Sequence, residues 1–559
     1  MLRARLVFCA LSAALLQCEA VDAAPQPPPD AGQTLRELQP PPPPEVPQAI
    51  PPLTIEGPEQ GGPASDIRFM IKSVQITGNT RIPSAVLRAL VTDVTGAEHS
   101  LTELQAAISR ITDYYHRRGY PVARAYLPAQ EIRDGAVTIG IIEGHLDKKT
   151  IDNHSRLTDT RVAKHLDNVE AGAVIESAEV DRSLLLLNQT PGVGRTRATL
   201  QPGASVGTSE LVVAVDPAAA YSGDLEADNY GNRYTGQYRL AGTLNVNSPL
   251  RIGDQLSLTA LSAGPDLLYG RSAYQLPVGG EGLQVGVAYF DSRYRLGKDF
   301  SVLQAHGTGA GGSVFAAYPF IVTQHSNLNL TASLEEKHLI DYVDVTATVT
   351  EKHVYLASFA LSGAHRDMVG GGGVSTANLS LALGDLDINS PIARLIDEIS
   401  ARSDGRYARL SYSLTRQQRL TARTFLSVAL SGQRANKNLD SSEKFTLGGS
   451  DGVRAYPQGE TIGDEGYLVN LELRQDLVRP LQGLLFYDTG SVTTNRNPFV
   501  LSSPNSRRLA GAGLGVQATL AGFQIKATAA WRTAGGEPNS IPIYAVRTPE
   551  AWLQIRWVL

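Results

Sequence analysis

Over residues 218–559 one pattern recurs: apolar and polar side chains alternate, in runs separated by turn residues. Leu328, Leu330, Ala332 and Leu334 interleave with Asn327, Asn329, Thr331 and Ser333. Ala408, Leu410, Tyr412 and Leu414 do so with Arg409, Ser411, Ser413 and Thr415. Phe523, Ile525, Ala527, Ala529 and Trp531 face away from Gln524, Lys526, Thr528, Ala530 and Arg532, as Val469, Leu471 and Leu473 do from Asn470, Glu472 and Arg474. A period of two belongs to extended strands, whose successive side chains point to opposite faces. Runs of about ten residues with one apolar and one polar face mark a transmembrane antiparallel β-barrel. At roughly 21 residues per strand with its loop, these 342 residues supply about 16 strands. A barrel of that size leaves a lumen to fill or gate. Helical spans are excluded, because mean hydropathy is −0.12 and no run reaches about 18 apolar residues. Only helices and closed barrels satisfy the backbone in lipid. A soluble sandwich or propeller would alternate too. However, one sandwich core could not organise so many strands, and no blade repeat is present.

The N-terminus carries an export signal. Arg3 and Arg5 precede an apolar run over 6–16, and Val21, Asp22 and Ala23 offer a cleavage site, so residues 1–23 read as a signal peptide. Cys18 gives a weak lipoprotein alternative, disfavoured by the bulky Gln17 before it. Both cysteines, Cys9 and Cys18, lie within this leader, so the mature chain has neither disulfides nor thiolate metal sites. Residues 24–66 form a proline-rich arm, with 14 prolines among the 39 residues from Pro25 to Pro63, a composition that favours polyproline II. Within it, residues 30–39 place Leu35 and Leu38 on one helical face behind a possible Asp30 cap. On local grounds this segment is either a nascent helix in a linker or a small movable element on a stiff tether.

Residues 67–146 and 147–217 form two small soluble units with a shared order, β-α-α-β-β. In the first, a strand over 69–76 ends at Gly78-Asn79 and helices follow over 84–90 and 101–118. Leu101, Leu104, Ile108, Ile111 and Tyr115 keep helical spacing, Gly119 caps the helix, and strands follow over 122–127 and 136–143. In the second, strands over 149–151, 194–201 and 210–215 enclose helices over 158–166 and 178–188.

Enzymatic and nucleic-acid functions find no support. The formal charge of −5 and pI near 6.1 offer nucleic acid nothing, and there is no basic block. Gly448, Ser450 and Gly452 fit the Gly-x-Ser-x-Gly string, but Pro457 forbids the helix that a nucleophile elbow needs. The glycines over 307–312 fit Gly-x-Gly-x-x-Gly without a helix behind them. The ten histidines show no metal-ligand spacing. No cofactor, metal or catalytic residue is expected.

Three motifs carry the resemblance to known families. The stretch from Tyr114 to Pro128, including Gly119 and Tyr120, and the strand ending in Glu143-Gly144 resemble a polypeptide-transport-associated (POTRA) domain. Val453, Arg454, Ala455 and Tyr456 lie in a Gly-rich loop. Phe486, Asp488 and Gly490 are two apart, so one strand face carries all three into the lumen while Leu485 and Tyr487 meet lipid. An unpaired lumenal carboxylate is costly, and an arginine's planar fork suits it with two parallel hydrogen bonds. These residues resemble the Omp85 superfamily, and specifically its two-partner-secretion transporters, the TpsB group. There a loop carrying Val-Arg-Gly-Tyr folds into the barrel, and its arginine meets the aspartate of Phe-x-Asp-x-Gly. Ala455 replaces the loop glycine here, which keeps the arginine but alters the turn. The terminal Trp557-Val558-Leu559 lacks the usual phenylalanine, although Leu559 keeps the apolar register of Leu553, Ile555 and Trp557. Residues 228–236 and Tyr318-Pro319-Phe320 also match family landmarks.

The resemblance implies a translocase in the outer membrane of a Gram-negative bacterium, secreting one large exoprotein of the TpsA type: a hemolysin, adhesin or toxin. Its POTRA units, with Gly119 and Tyr120 among their recognition residues, lie in the periplasm, and residues 30–39 become a plug helix. Lipid is the barrel's surroundings, and barrel-assembly machinery and periplasmic chaperones are its partners in biogenesis. The alternatives are an Omp85-type insertase, whose relatives usually carry more POTRA units, and a passive porin or adhesin barrel, which would leave the paired Arg and Asp motifs without a role.

Overall fold

The computed structural model describes residues 28–38, 46–47, 51, 53–56, 68–499 and 504–559. The segment expected to be a signal peptide, residues 1–23, and most of the proline-rich arm lie outside the described residues. The alternating runs form sixteen strands, from Tyr221–Asp228 to Glu550–Val558, each antiparallel to its neighbours in one closed barrel. The seam joins the first strand to the last over five pairs, from Asp224 opposite Val558 to Asp228 opposite Gln554. The outward face is apolar and open: Leu334, Leu379, Phe359, Leu485, Leu514 and Leu553 are each exposed by about half. A wall this apolar is disfavoured against water and matches a hydrocarbon surround. No helix among the described residues is long and apolar enough to cross a membrane.

The segment over 30–39 is a helix inside this barrel. The helix α1 (Ala31–Leu38) is capped by Asp30, whose Oδ1 accepts from Gln33 N at 2.8 Å. Ala31, Leu35 and Leu38 are buried against Tyr234, Tyr269, Phe290, Tyr294, Leu339 and Tyr407 of the lumenal wall. Polar contacts fix its start: Asp341 Oδ1 accepts from Ala31 N at 2.7 Å and from the Tyr294 hydroxyl at 2.6 Å. Asp30 Oδ2 accepts from Ser441 Oγ at 2.7 Å, and Lys352, paired with Asp440 at 2.8 Å, stands 3.4 Å from the same oxygen. Gly32 is a contact point rather than a flexible one, since a Cβ there would meet Ser441 Oγ at 2.3 Å.

Two layered units precede the barrel. In the first, the expected strand over 69–76 is two strands. Gly135 O accepts from both Lys72 N and Ser73 N, turning the chain between Arg68–Ile71 and Ser73–Thr77. Arg68–Ile71 pairs with Ala97–Ser100, a strand the sequence pattern did not reveal, while Ser73–Thr77 runs parallel to Ala136–Ile142. The helix Leu101–Arg117 begins with a reciprocal cap between Ser100 and Glu103. Glu143 is buried and ties the unit together, accepting from Thr80 N and Arg81 N at 2.8 Å, from the Thr80 hydroxyl, and from Tyr115 OH at 2.8 Å. Burial raises its carboxyl, but these donors hold it below the usual range.

The second unit follows the order expected: strand His145–Asn153, helices Asp159–His165 and Ser177–Gln189, strands Val193–Pro202 and Thr208–Pro217. Its sheet has a fourth member from the proline-rich arm: Thr54–Ile55 lies parallel to Val193–Pro202, opposite Thr199 and Leu200. The helices rest on the barrel rim. Arg161 donates to Ile252 O at 3.0 Å and Pro277 O at 2.8 Å, Arg182 donates to Pro319 O at 3.0 Å, and Val322 of the barrel joins the unit's core. The rim turns on this side thus face the two preceding units, and the other rim lies at the opposite end of the barrel.

Candidate functional site

The site grows from the parity of two neighbouring strands. In Leu481–Thr493, Phe486, Asp488 and Gly490 share the lumenal face, while Leu485 and Tyr487 are turned outward and exposed. Pairing with Glu465–Val478 sets Asn470 opposite Asp488 and Glu472 opposite Phe486, so two more polar groups join that face. Gly490 leaves room for the loop above it. A Cβ there would meet Leu447 Cδ1 and Tyr467 O, both at 2.4 Å.

The loop between strands, 436–464, bends back into the barrel. Phe445–Thr446 pairs with Ile462–Gly463, and inside this neck Val453 N donates to Leu447 O at 2.7 Å and Gly449 N to Tyr456 O at 3.2 Å. Gly449 takes a φ of +113°, a conformation that favours glycine at this reversal. Val453, Arg454, Ala455 and Tyr456 are all buried in the lumen.

Arg454 uses all three guanidinium nitrogens on the wall. Nε donates to Asp488 Oδ2 and Nη2 to Asp488 Oδ1, both at 2.8 Å, and Nη1 donates to Glu472 Oε2 at 2.7 Å. Its backbone N–H reaches Asp488 Oδ2 at 3.1 Å, and its carbonyl accepts from the Trp552 indole at 2.8 Å. The guanidinium lies 3.5 Å from the centre of the Phe486 ring. Asn470 donates to Asp488 Oδ1 at 2.8 Å and to Gly452 O at 3.1 Å. Asp488, fully buried, is thus saturated by two charged and two neutral donors. Tyr456 anchors the far side of the loop, its hydroxyl donating to Ala534 O at 2.8 Å and lying 2.9 Å from Gly536 O.

Ala455 is accommodated rather than strained. It takes a negative φ, and its methyl fits over Gly511 of the wall, where a second Cβ would lie 2.3 Å away. The loop also reaches the lumenal helix: Gly459 lies against Gln33, Glu37 and Asn232, and Asn232 Nδ2 touches Glu37 Oε1 at 3.3 Å and Gln458 O at 3.4 Å. Asn232 belongs to the landmark over 228–236, which Arg239 steadies by a two-pronged bond to Asp228 at 2.9 and 3.1 Å. Helix, loop and wall form one packed unit.

The six barrel residues expected from sequence, Val453, Arg454, Tyr456, Phe486, Asp488 and Gly490, meet at this point. Glu472, Asn470 and Trp552 were not among them. Alternation put Glu472 and Asn470 on the lumenal face, but only strand register brings them opposite Phe486 and Asp488. Gly119 and Tyr120 lie far off, at the joint of the two units that precede the barrel. Gly119 O accepts from Ser177 N and Ser177 Oγ, each at 2.9 Å, and the Tyr120 ring packs edge-on against Tyr115.

Known proteins are similar to this chain in sequence and fold. The sequence profile described as "Haemolysin secretion/activation protein ShlB/FhaC/HecB" matches residues 207–518, and that of the "POTRA domain, ShlB-type" matches residues 69–144. The heme/hemopexin transporter protein HuxB of Haemophilus influenzae is 28% identical over 510 residues, 88% of this chain and 89% of its own. The outer membrane transporter CdiB of Dickeya dadantii is 23% identical over 410 residues, 71% of either chain. The structure of CdiB from Escherichia coli superimposes with a TM-score of 0.69 at 21% identity, covering 90% of this chain and 93% of that one. BamA of Haemophilus ducreyi lacking POTRA domains 1–3 matches with a TM-score of 0.52 at 14% identity, over 88% of this chain and 100% of that one.

Proposed function

Because the chain belongs to the ShlB/FhaC/HecB family of haemolysin secretion/activation proteins, outer-membrane two-partner-secretion transporters of the Omp85 superfamily, we propose that it secretes one large exoprotein through its own barrel. The observation that carries this reading is the doubly filled lumen. A helix and an infolded loop occupy a sixteen-stranded barrel whose wall holds the loop by a buried clasp. We take the working parts to be the arm and plug helix (24–66), two POTRA-like units (67–146 and 147–217) and the barrel (218–559).

The exoprotein, of haemolysin, adhesin or toxin type, arrives unfolded and is recognised by the periplasmic units, the surroundings of Gly119 and Tyr120 included. Its backbone adds to an open sheet edge, where main-chain hydrogen bonds supply affinity without demanding a fixed sequence. In the first unit the edges are Ser73–Thr77 and Arg124–Tyr126; in the second, Thr54–Ile55 covers one edge and leaves His145–Asn153. Helix α1 then leaves the lumen, and the loop 436–464, held by Arg454 on Asp488, keeps the wall in shape around the passing chain. The periplasm has no nucleotide fuel, so folding outside the cell gives direction. Chaperones and barrel-assembly machinery act earlier, on the transporter itself.

Co-expression with the exported protein of the adjacent reading frame, combined with bilayer conductance, tests this reading. Export that depends on the transporter, with low resting conductance, is the expected result. A steady open current with no export would establish a porin instead. Assembly of other barrels in place of export would establish an insertase.

A further inference from the structure

The lipid-side wall carries a second polar constellation, remote from the lumen. The strands Ser326–Val343 and Thr348–Asp367 are among the longest of the barrel, and the turn joining them lies at the extracellular end. Leu339 and Val354 point into the lumenal core, so their neighbours His338 and His353, directly opposite each other across the pair, point outward. Glu351 precedes His353 by two residues and shares its face, and Glu336 precedes His338 by two. Farther down the same outward rows come Tyr355, Leu334 and Phe359, all strongly exposed. The four polar residues thus stand between this apolar band and the extracellular turn.

The atoms converge. Glu351 Oε1 lies 2.8 Å from His338 Nε2 and 3.9 Å from His353 Nε2, and the two imidazole rings are stacked with centres 4.2 Å apart. One donor atom from each of His338, Glu351 and His353 falls within 4.8 Å of the others. On the far side of the His353 ring, Nδ1 is shielded from solvent without a hydrogen bond, and Glu336 Oε1 stands 3.5 Å from it.

We propose that His338, Glu351 and His353 form a binding site for a divalent transition-metal ion of the zinc class on the outer wall of the barrel. Two imidazole nitrogens and one carboxylate oxygen suit such an ion, whereas magnesium and calcium favour all-oxygen sets. Tetrahedral zinc with bonds near 2.0–2.1 Å needs donor atoms roughly 3.3 Å apart, which small rotations of these partly exposed side chains supply. Glu336 is the positioning residue: it accepts the Nδ1–H of His353, leaving Nε2 free as ligand and satisfying the otherwise unpartnered nitrogen. The fourth position faces the medium and takes water. The bound ion joins two long strands where they emerge from lipid.

The test uses the full chain in lipid nanodiscs, its affinity tag removed and residual metal stripped by chelation, titrated calorimetrically with Zn²⁺ alone. One equivalent is expected to bind, His338→Gln and His353→Gln each weakening it by at least tenfold, with Mg²⁺ and Ca²⁺ failing to compete. Zn²⁺ is also expected to shield both histidines of the unaltered protein from imidazole-modifying reagent, a readout that does not rely on the variants folding. Absence of saturable binding, equal binding by both variants, competition by Mg²⁺, or modification unaffected by Zn²⁺ would each overturn the assignment. Secretion does not enter any of these readouts, so the translocase reading stands or falls separately.

Discussion

Arg454 holds both carboxylate oxygens of Asp488, at 2.8 Å each, while its third nitrogen takes Glu472 at 2.7 Å, so one loop residue engages two acids of the barrel wall. A fork that meets two oxygens in a plane fixes direction as well as charge. The ring of Phe486 beneath the guanidinium explains the aromatic two residues before the aspartate.

Removing Arg454 strands Asp488, whereas an Arg454 deprived of Asp488 still keeps Glu472 at 2.7 Å. Arg454→Ala leaves Asp488 buried without its cation, a change that typically costs about 3–5 kcal/mol, while Glu472 keeps Arg474 at 2.7 Å. Arg454→Ala and Asp488→Ala are expected to insert at normal levels yet lower exoprotein secretion at least tenfold. Arg454→Lys is expected to fall between, since an ammonium cannot reproduce the two-pronged bond. Secretion measured at matched outer-membrane abundance decides this, and normal export by both alanine variants would rule the clasp out.

The pairing of Ala455 with Gly511 gives a reciprocal test. Gly511→Ala sets a methyl 2.3 Å from the Ala455 Cβ and is expected to dislodge the loop, loosening heat-resistant migration and reducing export. Ala455→Gly should restore much of the loss in the double variant, because the added methyl then has space. Additive defects, read in the same assays, would contradict the contact.

Leu35 is buried among lumenal aromatics, and Asp30 is bonded to Ser441 beside Lys352. Leu35→Asp places a second charge in that apolar pocket, and deletion of 30–38 removes the helix altogether. Both are expected to raise single-channel conductance in planar bilayers, the deletion more. Unchanged conductance on deletion would mean that the loop alone seals the pore.

His165 gives a pH signature to the joint between second unit and barrel. Burial, with the adjacent Arg161 guanidinium, pushes its imidazole down to about 4. The unfolded chain, titrating near 6.5, binds the extra proton first, so stability is full above about 6.5 and declines as pH falls toward 4. The loss at pH 5 relative to pH 7 is about 2 kcal/mol from this group. Urea unfolding of the periplasmic portion at the two pH values, with His165→Asn expected to flatten the difference, measures it. An equal pH slope in His165→Asn would assign the effect elsewhere.

Alternation made the barrel legible, because a face in lipid and a face in the lumen impose a two-residue period, sustained here over more strands than one sandwich core could organise. Asp488 was legible for the same reason: parity sent it inward, and a buried carboxylate requires a donor. Parity alone could not reach Glu472 or Asn470 as partners, since opposite positions depend on register, which loop lengths set. The split at Lys72 was invisible because Gly135 O, some sixty residues away in sequence, turns the chain there. The place of α1 was undecided locally, as its eight residues carry the same apolar face whether they cover a linker or a cavity.

The short arm strand Thr54–Ile55 turns the plug into a leashed object. Fifteen residues separate Leu38 from Thr54, and the sixteen Cα–Cα steps between them span at most about 55 Å when drawn taut. While the two-residue strand stays zipped to Thr199 and Leu200, a departed α1 can roam only within that radius of the second unit and is always close enough to return. Cargo that peeled the strand away would lengthen the leash and vacate a sheet edge in the same stroke.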